Sequence, residues 1–447
     1  MARGGLILCI ALLAAAAAHA DAATKLPLQT VARVPLSGPP VRFDYTSFDP
    51  STKRLWIAHM DAGQLLAFDV VHRRIVKTIS APGVHGVIAV PQLGRVYASA
   101  TDLRQVLTID ARSGKILARA PAGRYPDGLA YDPVHRHVFI SDETGGVETV
   151  INARGRRIAT IPLGGEAGNV QYDAGSHRML ADVQSLDEIA VIDPRRNTIT
   201  RRVHVPGCDS DHGLLIDSAR RVAFVACDGN ARLLTLDLRT MSVTGAFVVG
   251  DSPDVLALDS GLHRLYVSAE SGVVAAFRET AHSATPLGRA FLATEAHSVA
   301  VDPATHLVYF PLEHGATGKP QLLIMRPSGS PRSLAAAPPP SPGPWHQLGA
   351  AVSSRPGKQL HFFRDAEGPK ALGVVARSRS SSPIRVSWWT YCEFQSDDEI
   401  TQENQATVTG VHTVVAYPPV LDGATRCYVS VTARSARGAV TAAVFAG

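Results

Sequence analysis

Seven positions spaced 41 to 44 residues apart carry side chains that can bind metal ions or hydrogen-bond a ligand. In chain order they are Asp44, His85, Asp127, Gly168, His212, Asp254 and His297. Six are aspartate or histidine, and the glycine is followed by Asn169. Imidazole and carboxylate groups are common ligands of Zn²⁺ and Mn²⁺, and carboxylates also bind Ca²⁺. If the fold brings these positions together, this Asp/His column predicts a polar ligand site.

A second set of positions lies sixteen residues after each member of the Asp/His column. These positions hold Met60, Thr101, Glu143, Gln184, Asp228, Glu270 and Glu313. Four of the seven are acidic, and His59 and His314 stand next to the set. We call it the acidic column. The candidate ligands of a divalent cation are therefore His212, His297, Glu143, Glu270 and Glu313. The sequence does not distinguish among Ca²⁺, Zn²⁺ and Mn²⁺ as the bound ion.

Two interpretations of the columns compete. A bound cation can activate water for hydrolysis, with Glu143, Glu270 or Glu313 as a further ligand or a general base. Alternatively, the Asp and His side chains hydrogen-bond the backbone of tight turns and have only a structural role. The sequence has no phosphate-binding loop, nucleophile elbow or His-Glu-x-x-His motif. It therefore identifies no catalytic residue.

The columns belong to a repeat of about 42 residues that must position them. Its register is marked by Asp49, Val90, Asp132, Asp173, Asp217, Asp259 and Asp302. The third copy reads as four strands, 129–131, 137–141, 147–151 and 157–161, separated by Gly, Pro and Asn turn signals. Seven such copies predict an all-β fold, a seven-bladed β-propeller over residues 28–327 with the Asp/His column at the mouth of its channel. We interpret the marker aspartates as turn formers.

The last repeat indicates how the ring closes. It ends near Arg326 without the outer strand of the other copies, whereas a strand of that type precedes the first repeat, at residues 31–38. We expect this segment to complete the seventh blade, which removes exposed strand edges.

The repeats resemble the YVTN-type β-propeller family, named for a tetrapeptide in its second strand. The matching segments are Leu265-Tyr266-Val267-Ser268, Val96-Tyr97-Ala98-Ser99 and Val138-Phe139-Ile140-Ser141. The resemblance covers residues 28–327 and implies a secreted or surface propeller of binding or scaffolding type. A looser likeness to lactonase propellers implies a divalent metal in the axial channel.

A proline-rich linker, residues 328–344, precedes a second predicted domain over residues 345–447. Its short strand-like runs predict a β-sandwich of immunoglobulin or fibronectin type, with a small jelly roll as the alternative.

Residues 1–20 read as a cleaved signal peptide rather than a membrane anchor, because the apolar run of residues 6–18 is short for a span. A periplasmic or secreted location follows, with no membrane span in the mature chain. In an oxidising compartment the four remaining cysteines predict disulfides Cys208–Cys227 and Cys392–Cys427. Four buried free thiols are the alternative, and a metal site at Cys208, Cys227, Asp211 and His212 is a weaker one.

The formal net charge is +5, and the basic residues are scattered. Because no basic stripe is present, nucleic acid is not an expected partner. We predict an exported propeller that binds a protein partner or a small ligand at the channel mouth. The alternative is a metal-dependent, lactonase-like hydrolase.

Overall fold

The computed structural model describes residues 25–315 and 318–328 of the N-terminal part of the chain. In the C-terminal part it describes residues 346–348, 350–354, 360–367, 372–378, 384–394, 404–410, 413–416, 424–435 and 439–446. The chain divides into two compact units, with the boundary after Ser328. The predicted signal peptide and nearly all of the linker lie outside the described residues.

The N-terminal unit consists of seven four-stranded antiparallel sheets, which confirms the predicted all-β propeller. Blade 1 contains β2 Thr46–Asp49, β3 Arg54–His59, β4 Gln64–Asp69 and β5 Arg74–Ser80. Blade 2 contains β6 Val84–Val90, β7 Arg95–Ala100, β8 Gln105–Asp110 and β9 Ile116–Pro121. Blade 3 contains β10 Pro126–Asp132, β11 His137–Asp142, β12 Val147–Asn152 and β13 Arg157–Pro162. Blade 4 contains β14 Val170–Asp173, β15 Arg178–Val183, β16 Glu188–Asp193 and β17 Thr198–His204.

Blade 5 contains β18 Asp211–Asp217, β19 Val222–Cys227, β20 Arg232–Asp237 and β21 Ser242–Val248. Blade 6 contains β22 Pro253–Asp259, β23 Arg264–Ala269, β24 Val273–Glu279 and β25 Ala284–Phe291. Blade 7 contains β26 Ala300–Asp302, β27 Leu307–Leu312, β28 Gln321–Pro327 and β1 Leu28–Pro35. Short 3-10 helices follow several strands, at Pro91–Leu93, Thr101–Leu103, Gln184–Leu186 and Asp228–Asn230.

Strand β1 closes the ring. It pairs antiparallel with β28, and Leu28 lies opposite Pro327. The predicted completion of the seventh blade by the N-terminal strand is therefore confirmed.

The hydrophobic core lies between consecutive blades. Each of the seven junctions contains a cluster of buried residues drawn from both of its sheets. The same position of the second strand supplies a large buried side chain in every blade: Trp56, Tyr97, Phe139, Leu180, Phe224, Tyr266 and Tyr309. Burial of one such side chain contributes roughly 1.5–3 kcal/mol, so the repeat holds the blades together as well as shaping them.

The marker aspartates form turns, as the sequence predicts. The carboxylate of Asp132 accepts from the backbone N–H groups of Val134 and His135, and Asp217 accepts in the same way from Ala219 and Arg220. These bonds fix the hairpin between the first two strands of a blade.

Four residues after each marker, the backbone takes a positive φ of 51–61°. The residues are Lys53, Gly94, Arg136, His177, Arg221, His263 and His306. Three of their side chains, those of Arg221, His263 and His306, reach acids of other strands. Arg221 pairs with Asp173, and His306 Nδ1 lies 2.9 Å from Asp259 Oδ2, in each case in the preceding blade. These pairs tie neighbouring blades together at the end of the propeller opposite the channel mouth.

The C-terminal unit contains two antiparallel sheets, in agreement with a β-sandwich. The first has the order β31 Leu360–Glu367, β36 Ala424–Ser435, β33 Ile384–Phe394 and β34 Asn404–Gly410. The second has the order β29 His346–Gln347, β37 Thr441–Ala446, β32 Leu372–Arg377 and β35 Thr413–Ala416, and β30 Val352–Ser353 also pairs with β37. Buried residues from both sheets include Val374, Val386, Val431 and Val444.

Cys392 lies directly opposite Cys427 on the adjacent strands β33 and β36. A bond between them would therefore join two strands of one sheet, whereas the bridge of an immunoglobulin domain links two sheets. Their side chains lie outside the described part of the structure, so this disulfide stays a prediction. Among the described residues, no helix combines the length and hydropathy needed to cross a bilayer.

Candidate functional site

The Asp/His column gathers at one end of the channel. Five of its members line a cavity of about 340 Å³. The lining residues are Arg42, Asp44, Tyr45, Met60, His85, Tyr125, Asp127, Glu143, His212, Asp254 and Glu270. They come from five of the seven blades, namely blades 1, 2, 3, 5 and 6, or from the loops that enter them. We call this cavity the channel mouth.

Close approach of neighbouring blades sets the spacing of the column. Gly86 and Gly213 directly follow His85 and His212. A Cβ atom at Gly86 would lie 2.1 Å from the carbonyl oxygen of Asp127, and one at Gly213 would lie 2.2 Å from that of Asp254. Only glycine permits this contact, because any side chain would push the next first strand away.

Asp44 and Asp254, which line the mouth, form a group of possible metal ligands with His297, which is buried beside them and does not line the cavity. One donor atom of each lies within 4.8 Å of the other two, and all three residues are buried. His297 Nδ1 donates to the carbonyl oxygen of Glu295 at 3.0 Å, which leaves the lone pair on Nε2. Nε2 lies 4.0 Å from Asp44 Oδ1 and has no hydrogen-bond partner. Burial lowers the pKa of His297, so its imidazole is neutral at pH 7.

The carboxyl groups of the mouth lie in an unfavourable environment. Burial raises the pKa of Asp44 well above its ordinary value, and the charges of Asp127 and Asp254 raise it further. Burial also raises the pKa of Asp127 to about 6, although His85 and His212 act in the opposite direction. Asp127 Oδ1 has no hydrogen-bond partner. The mouth therefore concentrates negative charge that its own basic groups only partly offset.

His212 is the principal cation of the column. Its Nε2 lies 3.5 Å from Asp254 Oδ1, and its Nδ1 donates to Gln184 Oε1 at 2.8 Å. Burial acts most strongly and lowers the pKa of His212, but Asp254, Asp127 and Glu143 together outweigh it and raise the pKa to about 10. The same contact lowers the pKa of Asp254 against the effect of burial. Because both ring nitrogens of His212 carry protons, this residue would have to lose one to bind a metal.

His85 repeats the arrangement of His297. Its Nδ1 donates to the carbonyl oxygen of Gly83 at 2.7 Å, two residues upstream as in His297. Its Nε2 is paired, however, with Tyr125 Oη at 2.8 Å. His297 is thus the member of the pair whose Nε2 remains unpartnered.

The acidic column converges only in part. Glu143 and Glu270 line the mouth, where Glu270 Oε1 accepts from Arg42 Nη2 at 2.6 Å. Glu313 lies beside His314, with 3.8 Å between Oε2 and Nδ1, and does not line the mouth. Asp228 is exposed, and Thr101 donates to the carbonyl oxygen of Pro126. Of the five ligands predicted from the sequence, only His297 belongs to the three-residue group.

Three residues of the mouth are not identified by the columns: Arg42, Tyr45 and Tyr125. Arg42 and Tyr125 occupy one repeat position, two residues before the Asp/His column, where other blades have Gly83, Glu166 and Ser210. Because the residue type at this position varies from blade to blade, it carries no periodic signal. Their proximity to column members along the chain is the one clue that the sequence offers.

The sulfur atoms of Cys208 and Cys227 form a disulfide, as predicted, and join the segment before blade 5 to its second strand. This bond excludes the thiolate metal site considered at Asp211 and His212, because a disulfide offers no thiolate ligand.

No protein-family model matches the chain. A curated relative, "Uncharacterized protein YncE" of Salmonella typhimurium (strain LT2), is 23% identical over 153 residues. The match covers 33% of this chain and 42% of the relative, less than half of the relative's length.

Two solved structures are similar in fold. "Kuenenia stuttgartiensis Hydrazine Synthase" gives a TM-score of 0.55 at 12% identity and covers 63% of this chain and 94% of that one. "Streptogramin B lyase structure" gives 0.55 at 12% identity and covers 67% and 97%. At this level of identity the likeness concerns the fold alone. Together with the seven sheets, it supports a β-propeller.

Proposed function

We propose that this chain is an exported binding protein whose channel mouth holds a divalent metal ion through Asp44, Asp254 and His297, and that the ion anchors a small ligand in the mouth. The observation that carries the proposal is the buried, unpartnered Nε2 of His297. A histidine that binds metal donates its other ring nitrogen to a backbone carbonyl or a carboxylate, and His297 donates Nδ1 to Glu295.

The charge of the mouth supports the same proposal. Five carboxylate residues line the cavity, against the guanidinium of Arg42 and the imidazoles of His85 and His212. Arg42 is already committed to Glu270, and His212 to Asp254. A divalent ion beside Asp44 would offset charge that burial and neighbouring acids make unfavourable.

The donor set indicates the class of ion. One imidazole and two carboxylates suit Zn²⁺ or Mn²⁺, whereas Ca²⁺ prefers oxygen ligands alone. Three protein ligands leave coordination positions for water or for an oxygen or nitrogen atom of a ligand.

The test is metal titration of the full chain after treatment with a chelator. We expect His297→Ala to lose one equivalent of bound Zn²⁺ or Mn²⁺ in calorimetry and elemental analysis. His72→Ala is the matched control, because that imidazole is exposed and lies on an outer hairpin of blade 1. An unchanged stoichiometry in the His297 variant would refute the proposal. Melting temperatures in the presence of chelator show whether both variants are folded.

Metal-dependent hydrolysis is the second candidate function. It is favoured by Asp127, whose buried Oδ1 is unpartnered and whose carboxyl group lines the same cavity, where a general base would be needed. In this mechanism the ion would supply activated water, and Asp127 would accept its proton. If the metal-loaded protein hydrolyses a panel of lactones and esters, Asp127→Asn is expected to abolish turnover while retaining metal. If the protein hydrolyses none of these lactones and esters, only the binding function remains supported.

A further inference from the structure

In most blades the residue that ends the third strand stabilises the turn that follows it. Asp69, Asp110, Asn152, Asp193 and Asp237 end this strand in blades 1 to 5, and each accepts from backbone N–H groups of the turn that follows. Glu279 occupies the same position in blade 6. The turn after it is closed instead by Thr280 Oγ1, which accepts from Ser283 N at 3.0 Å. Glu279 is therefore free of the turn-forming role.

The side chain of Glu279 is fully buried and points toward another pair of residues. Its Oε2 lies 3.1 Å from His263 Nδ1 and 3.4 Å from Arg220 Nε, whereas its Oε1 has no hydrogen-bond partner. An unpartnered buried carboxylate oxygen is costly, typically by about 1–3 kcal/mol, unless another group satisfies it.

Asp217 completes the group. One donor atom each from Asp217, His263 and Glu279 lies within 4.8 Å of the other two. At the corresponding positions of the flanking junctions, one base faces one acid: Arg221 faces Asp173, and His306 faces Asp259. The junction between blades 5 and 6 thus brings a second carboxylate to a site where the repeat otherwise has one.

The carboxyl groups of Asp217 and Glu279 lie close together, and two negative charges at this distance repel each other unless a cation lies between them. His263 and Arg220 are the basic groups that face the two acids, and both are partly exposed, so the group is open to solvent on one side.

We propose that Asp217, His263 and Glu279 form a second divalent-metal site, at the end of the propeller opposite the channel mouth, which joins blade 5 to blade 6. The imidazole and two carboxylates suit Zn²⁺, with water in the remaining coordination position. Arg220 occupies the space beside Glu279 Oε2 and moves outward when the ion binds. The site does not depend on the function proposed for the mouth.

The experiment is a Zn²⁺ titration of the chelator-treated full chain. Glu279→Gln is expected to lose one equivalent of bound Zn²⁺. This equivalent differs from the one lost in His297→Ala, so the double variant is expected to lose both. Arg220→Gln is expected to bind Zn²⁺ at least about fivefold more tightly at the second site, since a cation about 4 Å away is removed. A purely structural role of Glu279 would produce no such gain.

His306→Ala is the matched control, because His306 has the equivalent place in the next blade and faces one acid only. It is expected to keep the stoichiometry of the unmodified chain. If Glu279→Gln does not fold, His263→Asn tests for loss of the same bound Zn²⁺. Its side chain is partly exposed, so the substitution should disturb the fold less. Loss of one equivalent in Glu279→Gln with none lost in His297→Ala would support this site and refute the mouth site. Unchanged stoichiometry in both the Glu279 and His263 variants would overturn the second site.

Discussion

Tyr45 of the segment entering blade 1 donates from Oη to Asp254 Oδ1 of blade 6 at 3.2 Å, although the two residues are 209 positions apart. The same hydroxyl accepts from Asn169 Nδ2 of blade 4 at 2.8 Å. Blades 1, 4 and 6 are not neighbours in the ring. One phenol therefore links three separate blades at the floor of the channel mouth and holds Asp254 in the position that the proposed metal site requires.

Tyr45→Phe is expected to destabilise the propeller. The substitution removes both hydrogen bonds and leaves Asn169 Nδ2 and Asp254 Oδ1 without this partner, which costs about 1–3 kcal/mol in the free energy of unfolding. Urea unfolding of the full chain measures the loss. The control is Tyr172→Phe, since Tyr172 Oη contacts His177 Nδ1 in an exposed setting, and its loss should cost under about 0.5 kcal/mol. Equal losses in the two variants would contradict the role of Tyr45 as a link between blades.

Stability should fall as the pH rises, because of Glu148. This fully buried residue accepts from Ser141 Oγ at 2.8 Å, and burial raises its pKa to about 8 from an ordinary value of 4.5. Between these two pH values the folded state holds a proton that the unfolded state has released, so the contribution of Glu148 to stability decreases by up to about 1.4 kcal/mol per pH unit. Below pH 4.5 there is no loss from this group.

Glu148→Gln replaces the protonated carboxyl with a neutral group of the same shape. We expect the variant to match the unmodified protein near pH 5 and to be more stable at pH 8, as determined from urea unfolding at each pH. Glu166→Gln, at an exposed site of the same face, serves as the control and should give no pH-dependent difference. Parallel stability curves for the protein and Glu148→Gln would show that Glu148 ionises normally.

Gly86→Ala is expected to widen the junction between blades 2 and 3. The added methyl group would lie 2.1 Å from Asp127 O and 2.4 Å from Leu129 Cδ1, so the first strands must separate. Overpacking of this kind typically costs about 1–3 kcal/mol or more. The spacing of His85 and Asp127 should change with it, and urea unfolding of the full chain measures the loss of stability.

Gly94→Ala, in the same blade, is the control for that substitution. Nothing lies within 4 Å of its added Cβ, and other blades have non-glycine residues at its positive φ. We expect a loss below about 1 kcal/mol and no change in metal binding. A Gly86 variant as stable as this control would show that the blades tolerate a wider spacing.

The repeat made the propeller predictable from the sequence. Marker aspartates such as Asp132 and Asp217 form turns whatever lies around them, and strands rich in Val, Ile and Tyr pair locally, so blade number and ring closure follow from the period. The same period placed His85, Asp127 and His212 at one end of the channel, where the structure also has them. The period could not show which of these residues bind the same ligand.

The remaining site residues depend on contacts that a period cannot encode. Arg42 and Tyr45 act across the channel on blades far from their own, and Glu279 departs from the repeat in a single blade. In the C-terminal unit no repeat exists to supply the register. There the strands Leu360–Glu367 and Leu372–Arg377 were not predicted, and Cys392 lies opposite Cys427 within one sheet, unlike the bridge of an immunoglobulin domain.

Pairing of Leu28 with Pro327 has a consequence for synthesis of the chain. The first strand has no neighbour to bond with until almost three hundred further residues have been synthesised. Its edge must stay unpaired during that interval, and helper proteins have time to act on it. Joining the two ends is therefore a late event, and we expect folding intermediates in which six sheets are built and the last is one strand short.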